Sequence, residues 1–187
     1  MNIPNLLTLL RIGLIPVFVV LFYLPTKWAY LACALVFAIA ALTDWLDGWL
    51  ARKLKQTSAL GAFLDPVADK LMVAAALVLL VQRDPAPWMA VPALVIIGRE
   101  ITISALREWM AELGERAQVA VSTIGKVKTA VQMVAILLLI YRDPVGVVPS
   151  YTVGYVLLYL ATLLTLWSML LYLRAAWPAL MRNETQA

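Results

Sequence analysis

Long runs of apolar residues, separated by short polar breaks, dominate this sequence from end to end. A helix needs about 20 apolar residues to cross the hydrocarbon layer of a membrane, and six stretches meet that length. Their approximate bounds are 6–24, 29–51, 61–82, 88–110, 119–141 and 151–174. Short turns are expected at Pro25, Asp84-Pro85 and Asp143-Pro144. The pattern predicts an all-α integral membrane protein, with six transmembrane helices in a single bundle that forms one domain over residues 1–187.

Composition supports a membrane protein and limits the chemistry. Hydrophobic residues make up 64% of the 187 positions, more than the core of a soluble domain of this size would hold. The first apolar run has no basic region before it and no small-residue cleavage site after it, so we expect a retained helix rather than a signal peptide. The sequence has no histidine and one cysteine, Cys33. Histidine catalysis and an internal disulfide are therefore excluded, and carboxylates and cations must carry any reaction.

The distribution of lysine and arginine predicts the orientation in the membrane. With six spans both termini lie on one side, and the side richer in Lys and Arg is usually cytoplasmic. One side would carry Arg52, Lys53, Lys55, Arg107, Arg116, Lys126, Lys128, Arg174 and Arg182, and the other only Lys27, Arg83 and Arg142. We expect a bacterial inner-membrane protein with both termini and its active site at the cytoplasmic face. No basic tract is interleaved with aromatic residues, so nucleic acid is not an expected partner.

Acidic residues interrupt the second and third predicted helices at helical intervals. With 3.6 residues per turn, positions i, i+3, i+4, i+7 and i+8 share one face of a helix. In the second helix that face carries Asp44, Asp47, Gly48, Ala51 and Arg52. In the third helix, positions i, i+4 and i+8 carry Gly61, Asp65 and Asp69. A short loop joins the two helices, so we expect them to pack antiparallel with the two stripes facing each other.

Four carboxylates beside the hydrocarbon require compensation, since one aspartate at a helix centre costs roughly 2.5–3.5 kcal/mol. Bound cations would provide it, and ligands that are all oxygen select hard ions such as Mg²⁺ or Mn²⁺. Two such ions would neutralise four aspartates and hold the phosphates of a substrate. Glycine leaves room for a diphosphate, and Arg52 offers planar donors to phosphate oxygens. These residues predict a phosphotransfer site near the membrane surface.

The spacing D-x2-D-G-x2-A-R-x8-G-x3-D-x3-D, from Asp44 to Asp69, resembles the signature of the CDP-alcohol phosphotransferases. In that family an alcohol displaces CMP from a CDP-linked substrate. The resemblance implies that Asp44, Asp47 and Asp65 bind two divalent cations, Mg or Mn, and that Asp69 also contacts one of them. It implies further that Asp69 is the general base that deprotonates the acceptor alcohol. A homodimer among membrane lipids is expected on the same ground.

Other segments resemble the bacterial members of that family that use CDP-diacylglycerol and sn-glycerol 3-phosphate. These segments are Asn2-Ile3-Pro4-Asn5 with Thr8 and Arg11, Gly98-Arg99-Glu100-Ile101 with Ser104 and Arg107, and Gly125-Lys126-Val127-Lys128-Thr129. A phosphorylated acceptor needs a cationic site apart from the metals. The residues expected to bind glycerol 3-phosphate are Arg99, Arg107, Lys126 and Lys128. Those expected to bind CDP-diacylglycerol are Asp44, Gly48, Arg52, Gly61, Asn5 and Thr8.

Structural interpretations of the charged residues remain open. The aspartates could cap helices or pair with cations such as Arg52, Lys53 or Lys70. Lys126 and Lys128 could be positive-inside anchors.

Polar residues of the first and fourth helices could also have a structural role. Asn5 and Thr8 could form an interfacial cap, with Arg11 extending its side chain to the membrane surface. Arg99 and Glu100 could form an intramembrane ion pair with a mainly structural role.

Two functional alternatives compete with transfer to glycerol 3-phosphate. Family members that make cardiolipin, phosphatidylserine or phosphatidylinositol phosphate share the aspartates and differ in the acceptor pocket. A cation-coupled transporter would also place carboxylates in membrane helices. However, the motif aspartates cluster near one surface and the last two spans carry no acid, so a path through the membrane is not favoured.

Overall fold

The computed structural model describes residues 3–26, 28–54, 59–112 and 123–184. In these residues the chain forms helices α1 (Ile3–Phe22), α2 (Trp28–Leu54), α3 (Ala59–Arg83), α4 (Pro87–Glu112), α5 (Thr123–Tyr141) and α6 (Ser150–Glu184). An isolated β-bridge joins Val145 to Val148 in the turn before α6, and the described ranges contain no strand. The prediction of an all-α protein is therefore confirmed for this part of the chain.

The observed helix bounds follow the hydrophobic runs closely, except at the end of α6. That helix continues to Glu184, ten residues beyond the predicted end at 174. Its extension packs against α4, where Ala176 and Met110 are 2% and 4% exposed and contact Leu106 and Trp109. The predicted membrane span 151–174 stays a prediction, and it lies within the apolar stretch Ser150–Trp177 of this longer helix.

Large apolar side chains from several helices form a single core. Phe18 of α1, Phe37 of α2, Leu77 of α3, Ile136 of α5 and Leu158 of α6 are each at most 1% exposed. The rings of Phe18 and Phe37 lie 6.3 Å apart between centroids, within the range of favourable aromatic pairs. This core holds the helices together along most of their length.

Many other large apolar side chains point outward. Leu94, Leu163 and Val20 are 72%, 64% and 62% exposed, a pattern suited to lipid rather than water. Among the described residues three segments are long and apolar enough to cross a membrane: Asn5–Phe22, Pro87–Glu112 and Ser150–Trp177. Shorter apolar stretches lie at Trp28–Asp44 and Val127–Tyr141. The chain thus has the helices of a multi-pass membrane protein, whereas the count of six spans stays a prediction.

Arg83 of α3 contacts three other helices at the end of the bundle where α1, α3 and α5 terminate. The Arg83 guanidinium lies 4.2 Å from the Phe22 ring centroid and 4.5 Å from that of Tyr30. Arg83 also donates a 3.2 Å hydrogen bond to the Ile140 carbonyl near the end of α5. Four helices are tied together here, so the opposite end, where α2 finishes and α3 begins, is positioned by a rigid scaffold.

A close contact between α5 and α6 at Gly154 allows a steric test of the packing. A Cβ added to Gly154 of α6 would lie 2.9 Å from Cγ and 3.2 Å from the backbone N of Leu139. We expect Gly154→Val to lower the thermal midpoint in detergent, because overpacking costs about 1–3 kcal/mol. Gly13→Val is the matched control, since a Cβ there meets no atom within 4 Å. Equal midpoints for the two variants would contradict the close α5–α6 contact.

Candidate active site

Three aspartates from two helices converge at one end of the bundle. Asp44 and Asp47 of α2 and Asp65 of α3 each offer a carboxylate oxygen, and these oxygens lie within 4.8 Å of one another. The expectation that the two acidic stripes face each other is therefore confirmed for these residues. The Asp47 side chain is buried, whereas those of Asp44 and Asp65 are 38% and 41% exposed. The cluster is therefore buried at Asp47 and accessible to solvent at Asp44 and Asp65.

The donor set of this cluster suits a divalent cation. Carboxylate oxygens that converge from separate elements are typical ligands of Mg²⁺ and Mn²⁺. Asp44, Asp47 and Asp65 are therefore chemically fit to hold a metal ion. Asp69, one turn beyond Asp65 on α3, lies next to this group rather than within it.

Arg11 of α1 bonds to all three aspartates. Its Nη1 donates to Asp44 Oδ1 at 2.7 Å and to Asp65 Oδ1 at 3.1 Å, and its Nη2 donates to Asp47 Oδ2. The residue is only 1% exposed. A planar guanidinium with several donors suits this shared role better than an ammonium group would. Arg11 thus joins α1 to α2 and α3 at the site.

The interpretation of Arg11 as an arginine extending to the membrane surface was wrong, because its head group is buried against carboxylates. Asn5 and Thr8 lie on nearby turns of α1 and are also buried, at 7% and 2% exposed. The three positions are spaced i, i+3 and i+6, so they share a broad face of the helix. A polar face within an otherwise apolar helix was the sequence signal for this contact, although Arg11 was not among the predicted site residues.

The predicted alternative in which Lys70 neutralises the aspartates is not what the structure shows. Lys70 of α3 donates a hydrogen bond to Ser104 Oγ on α4 instead. Arg11 forms ion pairs with Asp44, Asp47 and Asp65.

A large cavity lies beside the aspartate cluster. Its volume is about 740 Å³, and residues of α3, α4, α5 and α6 line it. Asp69 forms part of its wall, and Asp69 also lines a small cavity that it shares with Arg11. Asp69 therefore stands between the aspartate cluster and the large cavity. A carboxylate there can contact groups bound on either side.

Three predicted cations line the large cavity: Arg99, Arg107 and Lys128. Glu100 Oε1 accepts hydrogen bonds from Arg99 Nη1 at 2.7 Å and from Lys128 Nζ at 3.1 Å. The predicted ion pair of Arg99 with Glu100 is therefore confirmed, with Lys128 as a third member. Lys128 is 4% exposed and buried within the bundle, so it is not a lysine anchored at the membrane surface.

Two residues of α6 belong to this wall and were missed by the sequence analysis. Tyr172 Oη contacts Arg107, and Ser168 Oγ accepts a hydrogen bond from Arg99. Both lie more than 60 positions from their partners in the sequence. Helical spacing reveals only which residues share a face of one helix, so no local signal pointed to them.

The structure does not describe the side chains of several predicted binding residues. This applies to Gly48, Arg52 and Lys126, although all three belong to described helices. Gly61 is described near the start of α3, where it is partly buried.

A membrane helix bundle that places clustered carboxylates beside a basic cavity has the parts of a metal-assisted phosphotransferase. The chain matches the model of the CDP-alcohol phosphatidyltransferase family over residues 1–167, and it belongs to this family. It is therefore an enzyme that transfers substituted phosphate groups. The predicted family is confirmed, which favours the enzyme over the transporter alternative.

Close relatives carry one shared name. The chain is 60% identical over 185 residues to a Pseudomonas fluorescens protein, covering 96% of this chain and 92% of the relative. It is 59% identical over 175 residues to a Pectobacterium atrosepticum protein, with 94% of each covered. It is 54% identical over 184 residues to a Yersinia pestis protein, covering 97% and 98%. All three are named CDP-diacylglycerol–glycerol-3-phosphate 3-phosphatidyltransferase.

The contacts of Arg11 predict that it stabilises the site end of the bundle. Arg11→Met removes the cation from three close carboxylates, and breaking a buried ion pair costs about 3–5 kcal/mol. We expect a clearly lower thermal midpoint in detergent with EDTA, where added cations cannot replace the guanidinium. The thermal midpoint of Arg11→Lys should lie between those of wild type and Arg11→Met, because an ammonium keeps the positive charge but lacks the planar set of donors of a guanidinium.

Arg174→Met is the control for this experiment, since Arg174 is an exposed arginine of α6. Equal midpoints for Arg11→Met and Arg174→Met would refute a stabilising role for the Arg11 contacts.

Proposed function

We propose that this protein transfers the phosphatidyl group of CDP-diacylglycerol to sn-glycerol 3-phosphate, giving phosphatidylglycerophosphate and CMP. The observation that carries the proposal is the position of Asp69, between the aspartate cluster and a cavity lined with cations. The shared name of the close relatives supports the same donor and acceptor. A donor that carries a diphosphate would lie at the aspartates, and a phosphorylated acceptor would lie in the basic cavity.

The aspartate cluster is the proposed donor site. Asp44, Asp47 and Asp65 would hold two divalent cations, Mg or Mn, with Asp69 contacting one of them. Such ions neutralise the charge that develops on a diphosphate. The residues proposed to bind CDP-diacylglycerol are Asp44, Gly48, Arg52, Gly61, Asn5 and Thr8. The burial of Asn5 and Thr8 on the face of α1 that carries Arg11 supports their inclusion.

The basic cavity is the proposed acceptor site. Arg99, Arg107 and Lys128, together with Lys126, would bind the phosphate of glycerol 3-phosphate. Charged hydrogen bonds from guanidinium groups suit a phosphate well. The free hydroxyl of the acceptor would then face Asp69, which is the only proposed base in this wall.

Asp69 would accept the proton of that hydroxyl as the new bond forms. The acceptor oxygen attacks the phosphorus that carries the diacylglycerol. The bond between that phosphorus and the bridging oxygen breaks, and the electron pair leaves with CMP. Phosphate binding in the cavity fixes the acceptor, so the transfer becomes effectively intramolecular.

The membrane setting completes the proposal. We take residues 1–187 as one domain with six spans, located in a bacterial inner membrane. The excess of Lys and Arg at the aspartate end supports a cytoplasmic active site and cytoplasmic termini. A homodimer is proposed from the family resemblance alone.

The direct test is CMP release by the purified protein in detergent with CDP-diacylglycerol and Mg²⁺ or Mn²⁺. We expect CMP and phosphatidylglycerophosphate only when both glycerol 3-phosphate and the metal ion are present. Reactions without an acceptor, and with phosphatidylglycerol, serine or inositol phosphate instead, are the controls. Turnover with one of these and none with glycerol 3-phosphate would keep the family and overturn the proposed acceptor.

The division of roles among the aspartates predicts two different defects. Asp69→Asn removes the proposed base, so kcat should fall by about 10²–10⁴-fold while CDP-diacylglycerol binding is largely kept. Asp47→Asn removes a proposed metal ligand, so metal-dependent nucleotide binding and turnover should fall together. Calorimetric CMP binding measured beside kcat separates the two defects.

Asp84→Asn is the matched control, because Asp84 lies at the opposite end of the bundle and accepts a hydrogen bond from Tyr151. Equal loss of CMP binding in Asp47→Asn and Asp69→Asn would refute this division of roles.

A further inference from the structure

Tyr172 of α6 lies against both arginines of the large cavity. Its Oη is 2.6 Å from Arg107 Nη2, which donates a hydrogen bond to it. The guanidinium carbons of Arg107 and Arg99 lie 5.0 Å and 5.7 Å from the centroid of the same ring. Both distances are within the range of cation–π attraction. One aromatic side chain thus contacts two cations that lie about two turns apart on the same face of α4.

Ser168, one turn earlier on α6, contacts Arg99 as well. Its Oγ accepts a 3.2 Å hydrogen bond from Arg99 Nη2 and itself donates to the Thr165 carbonyl at 2.9 Å. The Arg99 side chain is 10% exposed, and its Nε has no hydrogen-bond partner among the described residues. A buried donor without a partner is rare in proteins, and at a binding site it is available to a ligand. Arg99 is therefore held at its Nη atoms while its Nε donor remains unused.

We propose that Tyr172 is a positioning residue for the acceptor phosphate: it holds Arg107 and Arg99 in the orientation that receives the phosphate of the acceptor. This inference rests on the proposed function, and it adds a residue of α6 to proposed phosphate-binding residues that all belong to α4 and α5. Tyr172 lines the cavity, but its recorded contacts are with the two arginines. It acts through those arginines rather than on the reacting atoms.

The physical reason is the flexibility of arginine. A free arginine side chain samples many rotamers, and fixing it on binding costs about 0.5–1.5 kcal/mol. A ring and a hydroxyl that already hold the guanidinium remove much of that cost before the acceptor arrives. In the described part of the chain Arg107 bonds to a neutral phenol and forms no ion pair, which favours its use as a phosphate ligand. By contrast, Arg99 and Lys128 share the carboxylate of Glu100.

The test separates acceptor binding from chemistry. Tyr172→Leu removes the ring and the hydroxyl, and we expect KM for glycerol 3-phosphate to rise about tenfold or more. The values of kcat and of KM for CDP-diacylglycerol should stay within about threefold. Tyr172→Phe keeps the ring and loses only the hydrogen bond, so its KM should lie between those of wild type and Tyr172→Leu.

The matched control is Tyr159→Leu, the same substitution on the same helix. Tyr159 Oη donates to the Trp88 carbonyl, and Tyr159 is not among the residues that line the cavity. We expect its KM for glycerol 3-phosphate to equal that of wild type. A thermal midpoint for each variant shows whether it is folded, and Tyr172→Phe remains informative if Tyr172→Leu does not fold.

A double-mutant cycle tests whether Tyr172 changes KM through Arg107. If Tyr172 acts through Arg107, then KM for Arg107→Ala with Tyr172→Leu should rise by less than the product of the two single effects. A fully multiplicative effect, or an unchanged KM in folded Tyr172→Leu and Tyr172→Phe, would overturn the inference. Failure of the proposed function is distinct, because wild-type protein would then give no product with glycerol 3-phosphate at all.

Discussion

The repulsion among three carboxylates is the constraint on which the rest of this structure depends. Asp44, Asp47 and Asp65 bring oxygens within 4.8 Å of one another at the end of apolar helices. Like charges this close in a poorly solvated place are strongly unfavourable unless cations neutralise them. Arg11 supplies one such cation from inside the chain. Its position forces α1 to pack against α2 and α3, so the charge balance of the site also determines helix packing.

That packing divides the molecule into two chemically different halves. Helices α1, α2 and α3 gather the acidic residues with Arg11, whereas α4, α5 and α6 gather the basic residues around the large cavity. Helix α3 belongs to both halves, since Asp65 lies in the cluster and Asp69 in the wall of the cavity. About one turn of helix, roughly 6 Å along its axis, separates these two aspartates. One rigid element therefore fixes the distance between the two proposed substrate sites.

Helical spacing was sufficient to predict the facing acidic stripes, and the lengths of the apolar runs were sufficient to place the six helices, because both are local properties of the sequence. It was not sufficient for Arg11 or Tyr172. An arginine in an apolar helix can extend to the membrane surface or turn inward to carboxylates, and only the packing of α1 decides between them. Tyr172 resembles the aromatic residues that anchor many span ends, and its contact with Arg107 spans 65 positions of sequence.

The two halves must also bind anions by different means, because both proposed substrates are anionic. Carboxylates can receive a diphosphate only through bound cations, whereas the basic cavity can receive a phosphate directly. A cavity holding only cations would be unfavourable within the bundle, and Glu100 reduces that cost by accepting hydrogen bonds from Arg99 and Lys128. Tyr172 holds Arg107 through a neutral ring and hydroxyl, and the ion pairs of the described residues do not include Arg107. The cavity therefore combines two cations whose charge Glu100 partly offsets with a third, more exposed guanidinium, and the three groups around Glu100 keep a net positive charge for an anionic ligand.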